Sequence, residues 1–143
     1  MAFIPGSFMA GELKRPEDRM TFLRKAFNND IEESERLSTA VVKAFEKHLS
    51  IPAIPYDTSL RYLRAASIPT QGEGVFARNL SLTRLIDGPL CFGEALYQDN
   101  IDECRRLNEK NILLPGMKTR LPERLRDVVN AYVEGALDYV SNR

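Results

Sequence analysis

Apolar residues recur at three- and four-residue steps near the end of the chain, at Leu121, Leu125, Val128, Val129, Tyr132, Ala136 and Val140. That spacing places them on one stripe of a helix, with Leu121 or Thr119 before it and Pro122 suited to its first turn. A second stripe runs through Ile31, Leu37, Val41, Ala44, Phe45 and Leu49. Asp30 stands where an N-cap would, and Glu32 and Glu33 suit the positive end of the helix dipole. Before it, Pro16-Glu17-Asp18 reads as a helix start, with Phe22, Leu23, Ala26 and Phe27 as a short buried face. The two read as separate helices or as one helix with a break at Asn28-Asn29.

Between the terminal patterns the signals are shorter. Pro52 and Pro55 force extended geometry on the residues before them, so 50–57 crosses the molecule as non-helical chain, held by Ile51, Ile54 and Tyr56. A short helix follows with Leu60, Leu63 and Ala66 on one side, and the segment from Ile68 to Gly74 ends it as a loop. Residues 75–86 fit two periods: Phe76, Leu80 and Leu82 alternate as in a strand, whereas Phe76, Leu80, Thr83 and Ile86 fit a helix. With no second convincing strand to pair its backbone, the helix reading is preferred. Asp87-Gly88-Pro89 reads as a turn opening a helix through Leu90, Phe92, Ala95 and Leu96. Asn100 then caps a further helix carrying Ile101, Cys104 and Leu107. The pattern therefore predicts an all-α fold, a compact single-domain bundle of five to seven helices with a proline-containing extended crossover. Residues 1–15 form an N-terminal arm and 16–143 the helical domain.

Composition narrows the classes of function. The 143 residues are 43% apolar and 28% charged, an ordinary globular balance for one domain. Twenty basic residues meet twenty acidic ones, so no net field draws the whole molecule to nucleic acid or an anionic surface. No long apolar run is present, and the sequence gives no reason to expect a membrane partner. Cys91 and Cys104 are too few for a disulfide framework and read as reduced, buried thiols, which points to a cytoplasmic protein.

Specific chemistry is sparse. His48, the only histidine, ends a predicted helix and reads as structural. One histidine and two distant cysteines make no metal set, and Gly72-Glu73-Gly74 lacks the lysine and hydroxyl of a phosphate loop. No catalytic residues, metal or cofactor are expected, and the balance is against an enzyme.

Arginine supplies 14 of the 20 basic residues, a planar fork suited to carboxylate or phosphate. Arg61, Arg64, Arg78 and Arg84 could line a pocket for a small anionic ligand, or serve a small helical enzyme acting on one. From Cys104 to Arg126, seven basic residues face two acidic ones, a local charge of +5. There Arg105, Arg106, Arg120, Arg124 and Arg126 form a candidate partner-binding patch. The arm is the other candidate contact, through Phe3, Ile4, Phe8 and Met9. The expected function is a protein–protein interaction module, self-associating as a homo-oligomer or acting as a regulatory adaptor.

Overall fold

The computed structural model describes residues 1–8, 11–97 and 99–142. It corrects the all-α expectation. Among the described residues six helices, half of the chain, accompany a four-stranded mixed sheet, so the protein is an α/β mixture and not a helical bundle.

The sheet is built from very short strands: β1 (Ala2–Ile4), β2 (Ile68–Pro69), β3 (Val75–Ala77) and β4 (Phe92–Gly93), in the order β2-β3-β1-β4. β1 lies at its centre, parallel to β3 with Phe3 opposite Phe76, and antiparallel to β4 with Phe3 opposite Phe92. The supposed arm thus begins as a central strand. Residues 75–86, preferred above as one helix, divide into β3 and a short helix α4 (Ser81–Leu85), and the helix expected after Pro89 is replaced by β4. The reason is physical: each strand has two or three residues, too few to show a period, and its partners lie about 70 positions away in the case of β1 and β3.

Side chains alternate across the sheet as the pleat requires. Ala2, Ile4, Val75 and Ala77 point to one face and pack with Val42 of α2 (Asp30–Leu49). Phe3 and Phe76 point to the other, against Leu63 of α3 (Arg61–Ala66) and Ile54 of the extended crossover. Tyr56, expected to pin that crossover, stands in solvent.

On its far side α2 packs against α6 (Glu123–Ser141), where Val41, Ala44, Phe45 and Leu49 bury Ala131. The two helices come very close. A Cβ on Gly135 would lie 2.6 Å from the Cα of Val41, so only glycine permits the crossing. Two helices complete the molecule. α1 (Pro16–Phe27) begins on Pro16 and is separated from α2 by Asn29, which holds a left-handed φ of 63°. α5 (Ile101–Asn108) is capped by Asn100, whose side-chain oxygen accepts from the backbone N–H groups of Asp102 and Glu103 at 2.9 and 3.1 Å.

Candidate interaction surface

The tight α2–α6 crossing decides which way α6 faces. Its inward side carries Arg124, Ala131, Gly135 and Tyr139, all buried, with Val128 and Tyr132 beside them. Of the predicted stripe, Val128 and Tyr132 pack inward, whereas Leu125, Val129 and Val140 are turned out, joined there by Val133 and Leu137, which the periodicity does not assign to it. Val133 is 53% exposed, Leu137 61% and Val140 66%, and Leu125 and Val129 continue the line. At 100° per residue these five and Ala136 span an arc of about 120°. Arg126 is the one charged residue on that arc, and it is tied back to Glu123 and Asp127. The result is an apolar strip along a helix of 19 residues, with on the order of 450 Å² of side chain open to solvent, within the ~300–600 Å² range of the largest patch on a typical monomer.

A second apolar region lies on α1, where Met20, Leu23 and Phe27 are exposed although Leu23 and Phe27 were expected inside. Phe22 alone of that face makes an aromatic contact, edge-on to Phe8 at 5.2 Å between centroids. This region is shorter than the α6 strip and is crossed by Arg24, which pairs with Asp87 at 3.0 Å.

The residues singled out from sequence are dispersed. Phe3 and Ile4 are fully buried in the sheet and Phe8 packs on Phe22, so these three residues of the arm pack into the protein's own fold. Met9 lies outside the described residues. In the basic segment, Arg124 is buried: its Nε and Nη2 donate to the two oxygens of Glu103 at 2.8 and 2.6 Å, and Nη1 donates to the Leu49 carbonyl at 3.0 Å. It is a strut between α5, α6 and the end of α2. Arg105 pairs with Asp102, Arg106 with Glu103 and Arg126 with Glu123, which neutralises most of the patch. Arg120 donates to the Asn111 carbonyl.

The four arginines of the pocket expectation behave similarly. Arg78 lies over the Phe3 ring at 5.3 Å and Arg84 reaches Asp18 at 3.8 Å, while Arg61 and Arg64 are exposed on α3. None of the four lines the cavity of about 510 Å³ beside β4. That cavity, between Phe45, Ile51, Tyr62, Leu96 and Tyr97, is lined by both Glu94 and the N-terminal ammonium of Met1, which donates to the Glu94 carbonyl at 3.2 Å, so it carries both signs of charge.

No protein-family model matches the chain, and no curated protein or solved structure matches it either. Among the described residues no group of histidine, cysteine and acidic side chains could hold a metal ion, and no helix is long and apolar enough to cross a membrane. His48 and Lys47 both hold Glu134, at 2.7 and 2.6 Å, which fastens the end of α2 to α6 and pulls the Glu134 carboxyl below its usual pKa, Lys47 first and His48 second. The Cys91 thiol is pushed up by burial, away from thiolate chemistry.

Proposed function

We propose that this protein is an interaction module whose first partner is a second copy of itself, docked through α6 in an antiparallel, two-fold pairing. The exposed aliphatic strip of α6 carries this reading. Leu125, Val129, Val133, Leu137 and Val140 sit on a helix fixed to the core by Gly135 and Ala131, so the strip is rigid and pre-organised.

Three features favour a second copy as the occupant. With Val133 on the axis, Val129 faces Leu137 of the other copy, while Leu125 falls opposite its Ser141, one residue from Val140, so the centre of the strip complements itself. The antiparallel arrangement sets Arg126 near the carbonyl end of the partner helix, whose last turn has no basic residue, and a cation there is favourable. The two Arg126 residues are kept about 20 Å apart by the 1.5 Å rise per residue. Finally, a stable interface covers roughly 800 Å² per partner. The strip supplies about half of that, and its flanks at Asn130, Glu134 and Ser141 supply a polar rim.

Cysteine cross-linking tests the geometry. Helices packed at about 8–10 Å bring facing Cα atoms to about 4–6 Å, within disulfide reach. With Cys91 and Cys104 replaced by alanine, Val133→Cys is expected to form a covalent dimer under mild oxidation. Val129→Cys is not, because the two copies of that residue lie about 12 Å apart along the axis, but it should link to Leu137→Cys when the two proteins are mixed. Equal linking at all positions, or none at Val133, contradicts the arrangement.

A further inference from the structure

Pairing within the basic segment leaves one part of it uncompensated. From Lys110 to Leu121 there are three basic residues, Lys110, Lys118 and Arg120, and no acidic one. Those residues form a hairpin-like loop. Ile112 and Leu121 exchange both backbone hydrogen bonds, at 3.1 and 2.8 Å, and close its base. Below the base, Glu123 is engaged by Arg126, while Glu109, which accepts from the neutral Asn111 side chain, keeps its charge beside Lys110, so the segment from Glu109 to Leu121 carries a net +2. Lys110 and Lys118 form no ion pair among the described residues.

The tip is apolar and stiff. Leu114-Pro115-Gly116-Met117 makes a tight turn, with the Met117 N–H donating to the Leu114 carbonyl at 3.1 Å. Pro115 presets the first corner, and Gly116 takes the positive φ of 82° that the second requires. Leu113 is 55% exposed, and Leu114 and Met117 are also exposed beside it. A rigid turn therefore projects three large apolar side chains beyond a collar of three cations.

We propose that this hairpin is a docking element for an anionic lipid surface. The ordering along the hairpin matches the ordering of a bilayer interface. Apolar side chains lead into the acyl boundary, while Lys118, Arg120 and Lys110 remain level with the phosphates, their aliphatic stems covering the passage. A convex tip of this kind needs no complementary groove, which favours a lipid surface over a protein partner. Docking requires no spanning segment, so it agrees with the absence of a long apolar helix among the described residues. The hairpin belongs to the loop between α5 and α6 and includes none of the α6 strip, so it is independent of self-association.

Sedimentation with vesicles tests it on the full chain. The protein is expected to pellet with phosphatidylcholine vesicles containing phosphatidylserine, to stay in solution with phosphatidylcholine alone, and to be released by salt. Leu113→Asp with Met117→Asp should lower binding about tenfold or more. Lys118→Gln should lower it about fivefold, the worth of one charge at an anionic surface, and flatten the salt dependence. Both variants lie at exposed positions, and unchanged circular dichroism and solution mass would show that fold and assembly are intact. Failure of the wild-type protein to bind the anionic vesicles, equal binding to neutral ones, or wild-type binding by the hairpin variants would overturn the proposal. In the first case the exposed tip would serve a protein contact instead.

Discussion

At the scale of single residues, the buried Arg124–Glu103 pair is costly to break. Removing one partner from a buried, bidentate pair costs about 3–5 kcal/mol, because the other charge is stranded. Arg106 remains 3.9 Å from the same carboxylate, so the low end applies to Arg124→Met, about 3 kcal/mol. For a chain of this size that lowers the melting temperature by about 10 °C, read by calorimetry. Adding Glu103→Leu should recover most of the loss, since no buried charge is then left alone. Tyr132 gives a pH prediction. Burial pushes its phenol up to about 12, and its hydroxyl donates to the Gly93 carbonyl at 2.8 Å. A raised folded-state pKa means stability that is complete below the ordinary tyrosine value of about 10 and is lost as pH rises through about 12. Tyr132→Phe should remove that alkaline loss in denaturation followed from pH 9 upward, within the usual ~±0.5 units of such titrations. Glu134 works in the opposite direction: Lys47 and His48 hold its carboxyl low, so its contribution is present at neutral pH and is lost as acid protonates it.

At the scale of elements, the instructive case is α6. Its existence and length are legible in the sequence, and so is most of the core face of α2, with Val41, Phe45 and Leu49 buried as the spacing predicts. The orientation of α6 is not legible, because periodicity assigns the largest apolar side chains to the core. At the crossing itself the positions are small: Gly135 and Ala131 allow the helix to lie almost on the backbone of α2, and Leu125, Val129, Val133, Leu137 and Val140 are left outside. Gly135→Ala should therefore cost about 1–3 kcal/mol by forcing the helices apart, as in other overpacked sites. Val129→Asp, severe if Val129 were in the core, should change the stability of the diluted protein by less than about 1 kcal/mol, since the residue is half exposed. Urea denaturation distinguishes the two variants directly. The strands were illegible for another reason. Phe3 and Ile4 look like a loose apolar arm until Phe76 and Phe92 are known to flank them, and that pairing is set by tertiary contacts.

At the scale of the whole molecule, the charge pattern and the apolar surface divide the work. The basic segment that promised a broad patch is spent largely on internal ion pairs, and the four arginines proposed for a pocket are scattered over the sheet, α3 and α4. The α6 strip stays exposed, and the proposed self-association would bury it. The most direct test of that claim is the solution mass of the wild-type chain beside Val133→Asp, by sedimentation equilibrium over a range of concentrations. The account predicts twice 16.2 kDa for the wild type, dissociating on dilution, and a single 16.2 kDa species with an unchanged helical spectrum for the variant. A wild-type protein that stays at 16.2 kDa throughout, or a Val133→Asp variant that keeps the doubled mass, would contradict it.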